Sequence, residues 1–208
     1  MNKKFVINIG RQLGSGGRLI GEKLASQFDI AFYDKELIQI ASKESGLGKE
    51  FFEQADEKKS HSLIGGLLGL RTNINNEVYG NNYLSNETFF KIQSDVIREL
   101  AEKKSCLFVG RCADYILRDH PCCVNLFITA DTGDRIRRVA HDQSLTLEKA
   151  QEKIEKMDKK RAEYYNYFSN KVWGAAESYH LCINSSVLGI DETVAFTHRF
   201  IEQKLVNK

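Results

Sequence analysis

The feature that most constrains the fold is a glycine-rich loop set between a short apolar run and a helical pattern. Residues 4–9 (KFVINI) predict a buried strand. The loop follows at 10–18 (GRQLGSGGR), and after it apolar residues recur at one-face helical spacing: Ile20, Leu24 and Phe28. Strand, glycine loop and helix in this order form half of a βαβ unit. The chain therefore belongs among α/β folds with a mostly parallel sheet.

A loop of this kind suits a phosphate chain. Glycines let the backbone turn tightly and point several N–H groups into one concavity, and the helix N-terminus adds partial positive charge. The residues predicted to bind phosphate are Gly10, Arg11, Gly14, Ser15, Gly16, Gly17 and Arg18. The alternative is a glycine-rich connector without a ligand. The strand before the loop and the helix after it favour the phosphate interpretation, because that motif requires both.

The loop departs from the Walker A pattern, G-x-x-x-x-G-K-[ST]. Five residues separate Gly10 from Gly16, and the next residue is Gly17 rather than lysine. The Ser or Thr that would bind Mg²⁺ is also missing from its expected place. Arg18 and Arg11 are both candidates to replace the lysine, since a guanidinium suits phosphate oxygens.

The rest of the chain continues the alternation of strand and helix. Further strands are predicted at 30–33, 106–110, 122–129 and 180–184. Helices are predicted at 36–43, 86–104, 111–117, 131–142, from 146 to about 168, and after a turn at 184–189 with Asp191 as N-cap. The stretch 45–86 is rich in Gly, Asn, Ser and Lys and predicts an insertion with little regular structure.

A set of arginines is suited to phosphoryl transfer. That reaction spreads negative charge over the transferred group, and cations placed around it stabilise that charge. Arg111 follows Gly110 at the end of a buried strand, the edge at which α/β sheets bind ligands. Arg135 and Arg138 have i, i+3 spacing and project together from one helix. Arg137 fits a solvated basic face.

A second polar pair and an aromatic cluster each leave two interpretations open. Asp158 and Arg161 share a helix face, where they can bind a nucleoside or form an intrahelical ion pair; spacing alone favours the ion pair. The aromatic residues at 164–168 and Trp173 can stack a base or pack in the core, and packing is favoured.

Composition excludes several classes of partner. A net charge of +2 gives no electrostatic case for a nucleic acid polymer or a membrane surface. The N-terminal apolar run is too short for a signal peptide, no stretch approaches the roughly 20 apolar residues of a membrane span, and a cytoplasmic location is predicted. Five cysteines without a C-x-x-C pair predict buried free thiols, and scattered histidines predict no zinc site.

Several segments together resemble the cytidylate kinase-like family. In chain order they are IGRQLGSGGRLIGEKLA, FYDKELI, FVGRCADYIL, RIRRVAHD, MDKKRAEYYNYF and YHLCINSSVLGIDETV. The resemblance covers nearly the whole chain and weakens between about 48 and 85. It implies a single P-loop kinase domain of three layers, with a five-stranded sheet in the order 2-3-1-4-5 and helices on both faces. A nucleoside-monophosphate-binding insertion is implied at about 36–95 and a helical lid at about 135–161.

The resemblance also implies roles for individual residues. Arg18, Arg135 and Arg138 would be catalytic, the last two closing over the phosphates from the lid. The acceptor site would use Asp34, Lys35, Arg111, Asp158 and Arg161. One departure concerns Ile40, which stands where the family's standard members carry an arginine; Lys35 is the candidate to replace its charge.

The activity implied is ATP-dependent transfer of the γ-phosphoryl group to CMP, dCMP or a related nucleoside monophosphate. Mg²⁺ would be held mainly by nucleotide and water, and a homo-oligomer stays open. One alternative is a catalytically weak nucleotide-binding sensor, which the missing lysine supports. Another is a kinase of the same fold with a non-nucleotide acceptor, which the altered acceptor residues support. A purely structural role leaves the glycine loop and the arginines unexplained.

Overall fold

A computed structural model describes residues 4–34 and 82–206 and shows a five-stranded parallel sheet. The strand order is β2-β3-β1-β4-β5, as the resemblance implied. The strands are β1 Val6–Arg11, β2 Ala31–Tyr33, β3 Cys106–Val109, β4 Cys123–Thr129 and β5 Leu181–Asn184. Since all five run in the same direction, their carboxyl ends meet at one edge, where the loops that carry chemistry lie.

Helices connect the strands. Within the described ranges they are α1 Gly17–Gln27, α2 Asn82–Lys103, α3 Ala113–Ile116, α4 Thr132–Gln143, α5 Leu147–Ser169 and α6 Ser185–Val206, with a 3₁₀ turn at Ala176–Ser178. The long helix α5 begins as predicted, with the Thr146 side chain accepting the backbone N–H of Lys149 at 3.3 Å. Helix α2 begins at Asn82, four residues before the predicted start at 86.

The central strand β1 pairs with β3 on one side and with β4 on the other. Alternate side chains of β1, Ile7 and Ile9, point to the face covered by α1 and α6. There they join a buried core that includes Ile20 and Leu24 of α1 and Val194 of α6. This core fixes where α1 starts, and with it the loop that joins β1 to α1.

The other face of the sheet is partly polar and aromatic. The buried Asn8 side chain donates hydrogen bonds to Cys123 Sγ and Asn125 Oδ1, both at 2.9 Å. Nearer the carboxyl edge, the Phe127 ring contacts the rings of Trp173 and Tyr179 at centroid distances of 5.2 and 4.9 Å. Trp173 therefore packs against the sheet, as the packing interpretation predicted.

The C-terminal region agrees with the sequence predictions only in part. The stretch predicted as a turn at 184–189 begins with helix, because the Asn184 side chain accepts the backbone N–H of Ser186 at 2.9 Å and starts α6 directly after β5. The predicted break is present at the end of that stretch, since Gly189, with φ 74° and ψ 172°, divides α6 into two helical segments. The prediction of Asp191 as N-cap is wrong. Asp191 lies within α6 and forms an ion pair with Lys23 of α1.

The cysteines are all free thiols. Four are buried, and burial raises the pKa of Cys106 to about 12. Cys182 is exposed, contrary to prediction, since it lies on the edge strand β5.

The chain divides into two units, Met1–Lys35 with Arg98–Lys208 and Glu36–Ile97, and the candidate site lies in the first. The predicted helix at 36–43 falls outside the described residues, as do most of the predicted insertion, Lys35 and Ile40. None of the helices within residues 4–34 and 82–206 combines the length and the apolar character that a membrane span requires.

Candidate active site

The glycine loop between β1 and α1 is tightly turned, and two of its glycines have left-handed backbone angles, Gly14 with φ 78° and Gly16 with φ 76°. A Cβ on Gly14 would lie 2.7 Å from the carbonyl oxygen of Arg135, so this position has no room for a side chain. Inside the turn, the buried Ser15 hydroxyl donates to the carbonyl of Gln12 at 2.9 Å and accepts the N–H of Gly17 at 3.3 Å. The loop therefore has one well-defined shape.

Side chains from later in the chain bind the carbonyl groups of this loop. The four bonds run from Arg161 to Arg11 O at 3.1 Å, from Arg135 to Leu13 O at 2.8 Å, from Arg138 to Gly14 O at 3.0 Å, and from the Ser185 hydroxyl to Ser15 O at 2.7 Å. Successive carbonyls held from outside in this way favour a loop whose amides point inward, which is the arrangement of an anion-binding nest.

Asp158 is the carboxylate that joins these groups together. One of its oxygens accepts the backbone N–H of Leu13 at 2.8 Å, and the other pairs with Arg135. Arg161 approaches it at 3.5 Å. The side chains of Arg135 and Asp158 are only 7% and 14% exposed, so this is a largely buried pair. Asp158 therefore does more than form the intrahelical pair that its spacing favoured.

The cluster is rich in positive charge. Burial lowers the pKa of Arg161; Asp158 acts in the opposite direction, and the charges of Arg135 and Arg111 lower it further. Arginines stay protonated in proteins, so the shift reports first the burial of a charged group and then the two arginines nearby. A site with this excess of cations is suited to an anion.

Arg111 lies in a backbone segment of unusual conformation at the end of β3. Gly110, Arg111 and Cys112 all have positive φ, at 78°, 58° and 55°. Residues other than glycine adopt such angles at an energetic cost, and strain of this kind is typical of functional sites. The Arg111 guanidinium stands 5.7 Å from the centre of the Tyr164 ring on α5. The strained segment thus places a cation at the carboxyl edge of the sheet.

The position of α5 beside this segment is fixed by a further contact. The hydroxyl of the buried Tyr165 donates to Asp114 Oδ2 at 2.7 Å. Burial raises the pKa of Asp114, and the bond from Tyr165 opposes that shift. Asp114 is in α3, shortly after Arg111, and Tyr165 is next to Tyr164. The contact therefore keeps Arg111 beside the Tyr164 ring.

Arg18, the first candidate for the missing lysine, is directed elsewhere. Its Nε and NH2 groups lie 3.0 and 2.9 Å from the same oxygen of Asp34 at the end of β2, and its NH1 lies 3.3 Å from Glu22. The Arg18 side chain is 61% exposed, whereas that of Asp34 is 6% exposed. The structure therefore joins a residue predicted for the phosphate loop to one predicted for the acceptor site.

The predicted residues thus fall into two groups. The loop residues lie together with Arg135, Arg138, Asp158 and Arg161, with Arg111 nearby, while Arg18 and Asp34 form a separate pair. Arg137 pairs with Asp134 on the surface of α4. Sequence reasoning missed Ser185 and the backbone of Leu13. Ser185 had one available signal, since it follows β5 directly at the same edge of the sheet as Arg111.

The described residues contain no group of three or more His, Cys, Asp or Glu side chains able to hold a metal ion.

A comparison of the sequence with known protein families shows which family contains this arrangement. The model of the cytidylate kinase-like family matches residues 6–187, which include β1, the loop and every arginine described above. The chain belongs to the cytidylate kinase-like family. No curated protein matches it.

Solved structures show the same fold. An uncharacterized protein from Eubacterium ventriosum ATCC 27560 is 26% identical, with a TM-score of 0.71 over 96% of this chain and 99% of that one. Shikimate kinase from Bacteroides thetaiotaomicron is 15% identical, with a TM-score of 0.53 over 95% and 98%. A gluconokinase from Sinorhizobium meliloti 1021 is 11% identical, with a TM-score of 0.54 over 99% and 97%. This member of the cytidylate kinase-like family thus has the fold of P-loop kinases.

Proposed function

We propose that the protein is an ATP-dependent phosphotransferase that moves the γ-phosphoryl group to a nucleoside monophosphate, with CMP or dCMP as the first candidates. The observation that carries the proposal is the glycine loop whose carbonyls are bound by Arg135, Arg138 and Arg161. Arg111 adds a further cation beside them. Phosphoryl transfer depends mainly on positioning and on stabilising charge, and this cluster supplies both.

The residues present fit a nucleotide polyphosphate. The amides at the start of α1 have no partners within the helix, and a phosphate accepts hydrogen bonds from such groups. Mg²⁺, when bound, would bridge phosphate oxygens and neutralise part of their charge. We propose that nucleotide and water supply most of its ligands, since Arg18 stands after Gly17 where the Walker pattern has Ser or Thr.

On the acceptor side, we assign Arg111 to the phosphate of the monophosphate and Asp34 to the acceptor itself, with Lys35 beside it. Asp158 and Arg161, predicted as nucleoside ligands, also support the loop. The segment 135–161 is the proposed lid, whose closure would exclude water and suppress ATP hydrolysis. A cytoplasmic location and a homo-oligomer remain predictions.

A non-nucleotide hydroxyl is the second candidate acceptor. It is favoured by one observation. The Asp34 carboxylate is bound by Arg18, so part of its capacity to accept hydrogen bonds from a nucleoside is already used. The shikimate kinase and gluconokinase of the same fold are named for small-molecule acceptors. A sensor that binds nucleotide without turnover is the third reading, based on the missing lysine.

The test is a product assay with purified protein and Mg-ATP, resolved by chromatography. The acceptors are CMP, dCMP, UMP, AMP and GMP, with shikimate and gluconate as non-nucleotide probes. We expect one monophosphate to yield its diphosphate. The Arg111→Gln variant should lose that product while Arg137→Gln, a change on the exposed face of α4, retains it, which excludes a contaminating kinase.

Other outcomes would redirect the proposal. Phosphorylated gluconate or shikimate in place of any diphosphate would support the second candidate. ATP binding without a product from any acceptor would support the sensor. Absence of ATP binding would overturn the phosphotransferase proposal altogether.

A further inference from the structure

We infer that Arg11, the last residue of β1, supplies the positive charge that a P-loop lysine supplies elsewhere. This inference rests on the proposed function, since it concerns the phosphates of the bound nucleotide. It is drawn from where the Arg11 side chain runs in relation to two glycines, Gly17 and Gly110.

Gly17 directly follows Gly16 and stands where the Walker pattern has lysine. A Cβ on Gly17 would lie 2.5 Å from Arg11 Cβ and 3.1 Å from Arg11 Cγ, both too close for separate side chains. The space where a side chain at position 17 would begin is therefore filled by the stem of Arg11. The lysine is absent from the sequence position, but the stem of a long cationic side chain occupies the place where a lysine side chain would begin.

The second glycine shows where the charged end lies. A Cβ on Gly110 would clash with the Arg11 guanidinium, whose Cζ would be 3.0 Å away. Gly110 has φ 78° and precedes Arg111 in the strained segment after β3. The guanidinium of Arg11 thus crosses from the phosphate loop to the segment assigned to the acceptor phosphate. A cation in that place faces the region through which a phosphoryl group would pass.

The backbone of Arg11 is also fixed. Its carbonyl accepts a hydrogen bond from Arg161 at 3.1 Å, and its position in β1 is paired with Ile128 of β4. A guanidinium on a fixed stem presents a planar fork that binds two phosphate oxygens at once. The side chain of Arg18, the competing candidate, runs to Asp34 after β2 and to Glu22 on α1. Because the side chain of Arg11 runs past Gly17 to the segment after β3, Arg11 is the better placed replacement.

The first experiment measures binding by titration calorimetry, with Mg-ATP, AMP and inorganic tripolyphosphate as probes. We expect Arg11→Gln to weaken ATP and tripolyphosphate by about tenfold or more, the loss of a charge-assisted contact. AMP affinity should change little, because the lysine-like contact is to the outer phosphates. Arg18→Gln, at the competing candidate, should weaken ATP and tripolyphosphate less than Arg11→Gln does, and the surface control Arg137→Gln should bind both as the wild type does.

A pair of variants tests the shared volume directly. Gly17→Lys alone should weaken tripolyphosphate binding, because its Cβ clashes with Arg11. Arg11→Gly combined with Gly17→Lys removes that clash and restores a lysine at the Walker position. We expect the double variant to bind tripolyphosphate more tightly than either single variant, with thermal melting used to confirm that each protein is folded.

Three results would overturn the inference, and only the third also overturns the proposed function. If wild type binds tripolyphosphate and Arg18→Gln abolishes it while Arg11→Gln does not, Arg18 is the cation and the phosphotransferase proposal stands. If the double variant binds no better than Arg11→Gly, the two side chains do not share one role. If wild type binds neither ATP nor tripolyphosphate, both proposals fall together.

Discussion

Two arginine–aspartate pairs flank the glycine loop, and they differ in burial and in the groups that they contact. Arg135 and Asp158 are largely buried, at 7% and 14% exposure, and both also bind the backbone of Leu13. Arg18 and Asp34 join the start of α1 to the end of β2, and Arg18 is 61% exposed. The first pair holds the loop itself. The second lies beside the loop and includes Asp34, the residue that we propose for the acceptor.

The difference in burial changes what each pair does. Removing one partner from a buried pair strands a charge in a poor solvent, whereas water replaces the partner of an exposed arginine. The buried pair is therefore suited to permanent support of the loop shape. The second pair is suited to an exchange of partners, because the exposed arginine can turn to solvent or to a ligand, whereas the buried Asp34 carboxylate then requires another partner such as the acceptor.

The largest effect is expected from breaking the buried pair. Asp158→Asn removes the charge that balances Arg135 and should lower the free energy of unfolding by about 3–5 kcal/mol. Urea denaturation measures this. Glu152→Gln is the matched control, since it makes the same chemical change at an exposed position of α5. Equal losses in the two variants would show that Asp158 is not a support of the loop.

A smaller effect is expected from the exposed pair. Arg18→Gln should lower the free energy of unfolding by about 1–3 kcal/mol, because it takes this partner from the Asp34 carboxylate, which is only 6% exposed, while the 61% exposed Arg18 side chain is itself solvated. The KM for the acceptor should rise, since Asp34 loses the group that orients it, while nucleotide affinity stays near the wild-type value. A destabilisation as large as that of Asp158→Asn would erase the distinction between the pairs.

The smallest effect separates the pairs by their response to salt. Raising ionic strength from about 0.1 M to about 1 M shortens the Debye length from about 10 Å to about 3 Å. The stability difference between wild type and Arg18→Gln should then shrink by a few tenths of a kcal/mol. The difference for Asp158→Asn should persist, because buried charges are screened far less. Parallel denaturation curves at the two salt concentrations provide the comparison.

Much of the fold could be predicted from the sequence, because strong local patterns determine it. Apolar runs such as CVNLFIT became β4, and the long helix begins after Thr146, where the capping residue stood. The strand order came from the family resemblance, since periodicity carries no information about which strands are neighbours. The start of α6 was missed because the Asn184 side chain, which begins the helix, also fits a turn.

Most of the residues that lie around the glycine loop could be named from the sequence, but their contacts could not. The loop, Arg111, Arg135, Arg138 and Asp158 were all named from the sequence. Their contacts depend on tertiary geometry. The spacing on the helix predicted a local ion pair for Asp158, whereas the Asp158 carboxylate also accepts the backbone N–H of Leu13, which is distant in sequence. The path of Arg11 over Gly17 likewise has no local signal, because it depends on how β1 meets α1.

The pairing of the central strand has a consequence for biosynthesis. Val6 pairs with Cys106 and with Cys123, so β1 leaves the ribosome long before either neighbour exists. The groups that bind the loop carbonyls come later still, ending with Ser185. Contacts so distant in sequence slow folding, because loop closure must precede them. The nascent chain therefore carries the glycines of this loop without the contacts that fix their shape until Ser185 has been made.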